Sequence, residues 1–245
     1  MKEVIFRIES NVQIAKNTYE MDLVGDTSEI TRPGQFVQAA LPGFYLRRPI
    51  SVCEWDGESL RLVYKVVGQG TAAMAKMRPG ESLDLLCGLG NGFATGTACG
   101  MSPLLAGGGV GLPPLLGLCR ALLAEGKQPR VLAGFGTAAE AFLLDDFRSL
   151  GVPVTVTTMD GSLGVKGLVT DALPSLTFDD VMACGPLPML RALWKQTGGM
   201  GQYSLEERMG CGFGACMGSS VMTREGAARV CREGPVFRGE VLPWA

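Results

Sequence analysis

The chain of 245 residues contains no histidine. That absence excludes Ser-His-Asp and Cys-His nucleophilic chemistry, a Rieske centre and zinc held by imidazole. With the usual acid–base residue missing, the chemistry is expected to come from a cofactor. Excess charge is missing too: 22 Lys+Arg stand against 24 Asp+Glu, so there is no electrostatic footprint for nucleic acid. The N-terminus, MKEVIFRIESN, has no long apolar run of the signal-peptide kind. Eight cysteines without such a signal read as reduced thiols or metal ligands in the cytoplasm, not as a disulfide framework. Residues 88–119 carry no charge, which resembles a membrane span, but Pro103, Pro113, Pro114 and many glycines argue against a lipid-exposed helix. No membrane partner is expected. The length suffices for one large domain or two to three small ones.

What is present is concentrated near the C-terminus, in RMGCGFGACMGSSVMTREGAARVCREGPVF (208–237). Cys211 and Cys216 stand at the first interval of the plant-type [2Fe–2S] pattern C-x4-C-x2-C…C. The third ligand position is Ser219, and Cys231 stands where the distant fourth is expected. Gly210, Gly212, Gly214 and Gly218 would let the backbone curl and aim N–H groups at cluster sulfurs. The plainer alternative is a Gly-rich loop with inert thiols. Serine is a harder donor that must ionise, so the loop fold is expected and its metal content stays open.

Residues 1–97 read as strands of a small antiparallel barrel. Tyr19, Met21 and Leu23 alternate with polar neighbours, as do Leu60, Leu62, Tyr64 and Val66, with Asp56-Gly57 as a hairpin signal. Pro33-Gly34, Pro42-Gly43 and Pro79-Gly80 punctuate the run. Inside it, Leu46-Arg47-Arg48-Pro49-Ile50-Ser51-Val52 sets two arginines among apolar residues. A pyrophosphate would suit arginine's fork; taken alone, the pair is better accounted for by one arginine at the surface and the other beside a carboxylate. Val67-Gly68-Gln69-Gly70-Thr71 is a second phosphate-type turn.

From residue 98 the period changes. A strand at Pro103–Ala106 leads through Gly107-Gly108-Gly109-Val110-Gly111 into a helix whose Leu115, Cys119 and Leu122 share one face. Leu112 stands in the third glycine's place of a G-x-G-x-x-G. Strands at 130–135, 152–157 and 180–183 alternate with helices at 140–150 and 188–197, predicting a mostly parallel sheet over 98–201. Gly134-Phe135-Gly136-Thr137, Asp160-Gly161-Ser162 and Cys184-Gly185-Pro186 fall at the carboxyl edge of that sheet, where a dinucleotide crevice is expected.

In this order the chain resembles the ferredoxin reductase superfamily, and more closely the electron-transfer subunit of the NAD-dependent, heteromeric dihydroorotate dehydrogenases. The resemblance rests on Arg47–Ser51, Leu89-Gly90-Asn91-Gly92-Phe93, Gly107–Gly111, Ser204–Met209 and Cys231 with Gly234–Phe237. It implies a β plus α/β multidomain fold: an FAD-binding barrel over 1–97, an NAD-binding domain over 98–201 and a [2Fe–2S]-type domain over 202–245. FAD would meet Arg48, Pro49, Ile50 and Ser51, with Tyr64, Lys65 and Val66 along the flavin and Gly70 and Thr71 at the phosphates. NAD would meet Gly107, Gly108, Gly109 and Gly111, with Cys184, the candidate catalytic residue, and Gly185 and Pro186 at the nicotinamide. The cluster would sit on Cys211, Cys216, Ser219 and Cys231, of which Ser219 departs from the family pattern. The implied partner is an FMN-containing subunit that oxidises dihydroorotate, in a heterotetramer. An NAD(P)H-handling subunit of another redox complex and a cluster-deficient scaffold are the competing readings.

Overall fold

The computed structural model describes residues 1–244. Six strands close into an antiparallel barrel: β1 (Lys2–Ala15), β2 (Thr18–Val24), β3 (Phe36–Ala40), β4 (Arg48–Asp56), β5 (Ser59–Lys65) and, after the short helix α1 (Gln69–Met74), β6 (Ser82–Leu89), in the order β1-β2-β5-β4-β3-β6. Its interior is filled by the inward set of the alternating pattern, including Met21, Leu23, Leu60, Leu62, Val37, Ala39 and Leu85. The hairpin expected at Asp56-Gly57 joins β4 to β5.

The second unit is a sheet in the order β10-β9-β8-β7-β11-β12-β15. It comprises β7 (Pro103–Gly108), β8 (Arg130–Phe135), β9 (Val154–Thr158), β10 (Val165–Lys166), β11 (Asp180–Cys184), β12 (Gln202–Ser204) and β15 (Val236–Arg238), with the hairpin β13 (Ser220–Thr223) and β14 (Gly226–Arg229) inserted before the last. All neighbours pair parallel except β15 against β12. Helix α2 (Pro113–Ala124) lies on one face, with Leu115, Cys119 and Leu122 fully buried. Two prolines occupy its first turn, where a missing N–H goes unnoticed. Helices α3 (Leu144–Ser149), α4 (Val169–Ala172) and α5 (Leu187–Gln196) complete the layers.

Two expectations need correction. The helix expected over 140–150 is only α3, preceded by a 3-10 turn at Ala138–Glu140. Leu143 takes a left-handed backbone (φ 59°), which breaks the helical run and lets Phe142 and Leu143 fill the core instead. The Gly-rich stretch also begins later than expected: Gly107 and Gly108 are the last residues of β7, and the turn is Gly109–Gly111.

The two units are tied by packing and charge. A Cβ on Gly117 of α2 would lie 2.7 Å from Cys53 O of β4, so helix and barrel approach backbone to backbone. Arg61 on β5 reaches Asp146 of α3 (2.7 Å), Glu54 (3.1 Å) and Glu20. Burial works against the Arg61 charge, but the carboxylates outweigh it and hold its pKa above the ordinary value. Residues 202–244 then return to both units. β12 and β15 extend the sheet, while the loop between them covers the outer face of the barrel, where Phe36, Leu86 and Leu89 pack on Cys231. Among the described residues no helix is long and apolar enough to cross a membrane.

Candidate functional site

The register of β3 and β4 decides what the barrel offers outward. Phe36 pairs with Ser51 and Gln38 with Pro49, so these four share the outer face while Val37 and Ala39 fill the interior. Pro49, Ile50 and Ser51 line a cavity of about 280 Å³ with Phe36, Tyr64, Lys65 and Thr71 on the barrel side. Cys184, Glu206 and Pro235 close it from the other side.

The two arginines separate as their chemistry allows. Arg47 is paired: its guanidinium grips Asp84 at 2.9 and 3.0 Å and Glu3 at 2.6 Å, and Asp84 raises its pKa first among its neighbours. Arg48 forms no ion pair among the described residues; it lies over the Phe44 ring (4.9 Å) and donates to Leu46 O. A Cβ at position 70 would sit 2.1 Å from Arg48 Nε, so Gly70 is the residue that lets the guanidinium lie across the turn. Thr71 Oγ1 accepts from the N–H groups of Val67 (3.0 Å) and Gly68 (3.3 Å) and holds that turn in place. Neither Arg48 nor Gly70 is in the cavity wall, but Val67 and Thr71 of the adjoining turn are, and an unpaired guanidinium at that turn fits a flavin dinucleotide, whose pyrophosphate would supply the missing anion. Tyr64 is 2% exposed and donates to Asn11 Oδ1 (2.8 Å), so only part of its ring faces the cavity. Val66 is not in the cavity wall; its N–H goes to Asn17 O.

At the carboxyl ends of β7, β8, β9 and β11 lies a larger cavity of about 500 Å³. Gly108, Gly109, Gly134, Gly136 and Pro186 form its floor, as the loop positions implied. Gly111 is needed for closeness: a Cβ there would lie 2.1 Å from Cys184 O. Gly107 similarly admits Leu112 and Leu115 of the helix, so these two glycines pack the turn and do not face the cavity. Thr157 lines the cavity, is 1% exposed and has a hydroxyl without a partner, which fits a polar dinucleotide there. Cys184 is buried; burial first and Glu206 second push its thiol up to about 12, against a hydrogen bond with Ser204. Near neutral pH it therefore stays a protonated thiol in the wall of the smaller cavity. Lys65, Val110 and Glu206 line both cavities, so ligands in the two would meet there. Burial holds the Glu206 carboxyl above its ordinary range. Sequence reasoning gave Glu206 and Thr157 no role; one stood in a longer motif and the other in an ordinary strand.

The third part is the loop after β12. Cys216 N–H points at Cys211 Sγ (3.4 Å) and Gly218 N–H at Cys216 Sγ (3.4 Å). Burial pushes the Cys211 thiol up, but the N–H groups of Cys216, Phe213 and Ala215 outweigh it and bring it to about 6. Ser219 and Cys231 are 1% and 3% exposed; the Ser219 hydroxyl donates to Cys231 Sγ (3.0 Å) and accepts from Cys231 N–H (3.3 Å). The four positions therefore come as two pairs, Cys211 with Cys216 and Ser219 with Cys231, although no three His, Cys, Asp or Glu among the described residues converge on one point. Two pairs of donors and inward N–H groups fit a two-iron cluster, with one oxygen in place of a sulfur. Asn91 clamps the far end of the loop. Its side chain donates to Glu233 O (2.9 Å) and Val236 O (2.8 Å) and accepts from Val236 N (3.1 Å).

The chain is similar in sequence and in fold to known proteins. A family model described as the iron-sulfur cluster binding domain of dihydroorotate dehydrogenase B matches residues 206–242. The chain is 40% identical over 245 residues to the dihydroorotate dehydrogenase B (NAD(+)), electron transfer subunit, of Fusobacterium nucleatum subsp. nucleatum, covering 94% of each chain. It is 44% identical over 243 residues to the protein of the same description from Bacillus caldolyticus, again covering 94% of each. Among solved structures, a chain of the NADH-dependent reduced ferredoxin-NADP oxidoreductase superposes with a TM-score of 0.88 at 30% identity, covering 98% of this chain and 90% of that one.

Proposed function

The chain belongs to the family of dihydroorotate dehydrogenase B electron transfer subunits, and from that premise we propose that it carries electrons from a dihydroorotate-oxidising partner to NAD. Held here, FAD and a [2Fe–2S] cluster supply the exchange between single electrons and a hydride, with NAD as co-substrate. The observation that carries this reading is the contiguity of the three sites. Lys65, Val110 and Glu206 join the nucleotide cavity to the flavin cavity. Phe36 and Met209, in the flavin cavity wall, pack against Cys231 of the loop.

Each residue then has a physical task. Arg48 binds the pyrophosphate as a charge-assisted donor, and Gly70 and Thr71 keep its turn in shape. Pro49, Ile50 and Ser51 set the flavin along the barrel, Lys65 stands at its edge, and Tyr64 backs the wall. Gly109 and Pro186 admit the dinucleotide, while Cys184 and Gly185 keep the meeting point dry and close. Hydride transfer between stacked rings needs approach and exclusion of water more than a proton donor, which suits a chain without histidine. Cys211, Cys216, Ser219 and Cys231 hold the cluster. The division at 1–97, 98–201 and 202–245 is offered in this functional sense, although β12 and β15 structurally complete the sheet. The partner is an FMN-containing catalytic subunit in a cytoplasmic heterotetramer of pyrimidine biosynthesis.

The test is an iron, sulfide and flavin assay on protein purified anaerobically, beside Ser219→Cys. Bound flavin in both, with cluster absorbance full in the variant and weaker in the parent, is the expected result. Absence of iron from both removes the cluster from the reading and leaves the scaffold alternative; absence of flavin from both overturns it. The likeness to the ferredoxin-NADP oxidoreductase chain favours one second reading, an NAD(P)H-handling subunit of another redox complex. Co-purification with a dihydroorotate-oxidising flavoprotein distinguishes the two.

A further inference from the structure

Only three buried side-chain polar atoms among the described residues lack a hydrogen-bond partner, and two of them belong to Gln38. The residue is fully buried on β3, and its main-chain carbonyl is held by Arg47. Its side chain points out of the barrel, on the face shared with Phe36, Pro49 and Ser51. What covers it is the cysteine loop: an ideal Cβ on Gly212 would lie 2.1 Å from Gln38 Nε2 and 2.7 Å from Cδ. Gly212, with φ 80°, is thus the position at which the loop backbone comes down onto the amide, one residue from Cys211. Leu86, paired with Gln38 across the ladder, packs on the other side against Cys231.

A buried primary amide without partners is destabilising, because each unpaired group has lost its water and gained nothing in return. An outward barrel position under an apolar cover would hold a leucine or methionine at no such penalty. Its neighbours Phe36, Leu86 and Leu89 are of that kind. The amide is a donor that faces a loop whose thiols are acceptors when ionised, and among the described residues no other acceptor claims it. We propose that Gln38 is a positioning residue for the iron–sulfur site: its Nε2–H group donates to a sulfur of the bound cluster and so stabilises the reduced, more negative form. The inference rests on the reading of the loop as a cluster site. It ties the electronic properties of that site to a barrel strand that also walls the flavin cavity.

The test uses the full chain with Gln38→Met, which keeps length and removes the donor, and Gln38→Glu, measured at a pH where the carboxylate is ionised, which keeps shape and offers acceptors only. The same changes are repeated with Ser219→Cys. In the loaded protein, both variants should shift the cluster midpoint potential to more negative values. The deuterium-sensitive shift of the Fe–S stretching modes in resonance Raman should also diminish. In the metal-free protein, Gln38→Met should melt at the same temperature or higher, because an unsatisfied amide has been removed. An unchanged potential and unchanged Raman shift, with cluster present, would sink the proposal and leave the cluster reading standing. A lower melting temperature of the metal-free Gln38→Met protein with an unchanged cluster would show a purely structural amide, and overturns the proposal as well. If neither parent nor Ser219→Cys takes up iron and sulfide on reconstitution, the cluster reading itself falls and the proposal with it.

Discussion

Asn91 fastens the cysteine loop to the barrel, so Asn91→Ala isolates what that fastening is worth. Three side-chain hydrogen bonds are lost, to Glu233 O, Val236 O and Val236 N. A net contribution of about 1 kcal/mol each, reduced for the bond nearest solvent, gives a loss of about 2–3 kcal/mol. That corresponds to roughly a 30- to 150-fold shift in the unfolding equilibrium of the segment. Urea titration followed by tryptophan fluorescence reads it directly, since Trp194 donates to Gly239 O (2.7 Å) and Trp244 packs edge-on to Tyr203 (5.9 Å), both beside that segment. Asn91→Asp keeps the acceptor for Val236 N–H but sets a carboxylate against two carbonyls, so near neutral pH it should be no more stable than the alanine variant. Cluster retention under chelator should fall in parallel. A loss below about 0.5 kcal/mol in Asn91→Ala, within the range of an ordinary surface change, would refute the clamp.

Arg48→Met should weaken FAD binding about ten- to hundred-fold, the worth of charge-assisted hydrogen bonds of roughly 1.5–3 kcal/mol, while barrel stability changes little; flavin release on dilution measures it. Gly111→Ala should be destabilising by about 2 kcal/mol or more and should impair NADH oxidation with dyes, because its Cβ would meet the Cys184 backbone at 2.1 Å and no side chain can give way. For Cys211 the sign follows from a folded pKa held below the usual 9.0, at about 6. Its stabilising effect on the metal-free loop is complete above about pH 9 and lost as pH falls through about 6. Alkylation of the metal-free protein at Cys211 should therefore reach half its maximal rate near pH 6. Cys119 and Cys184, each pushed to about 12 by burial, should stay unreactive across that range.

Much of the fold is legible in the sequence. Alternation at Met21, Leu23, Leu60 and Leu62 marked the barrel interior because a half-buried strand has no other economical pattern. The strand, Gly-rich turn and paired prolines located β7 and α2, since each signal has a local cause. The arginine pair left two readings open: the structure gives Arg47 its carboxylates and leaves Arg48 without one, and the pyrophosphate reading is what the Arg48→Met experiment tests. What stayed hidden is non-local. Nothing in Ala138–Leu150 announces the left-handed Leu143 that breaks the expected helix, since leucine takes that conformation only when core packing requires it. Gln38 looked like any outward polar residue of a strand; only the loop, arriving more than 170 residues later in the chain, turns it into a buried amide. β15 is three residues long and becomes a strand by pairing with β12.

The most direct test of electron transfer to NAD combines the purified chain, the dihydroorotate-oxidising partner subunit, dihydroorotate and NAD under anaerobic conditions, with NADH formation followed against time. NADH should appear only when both subunits are present, and Arg48→Met should slow it in proportion to flavin lost. NADH formation by the partner alone, or none from the flavin- and cluster-loaded pair, would contradict the account.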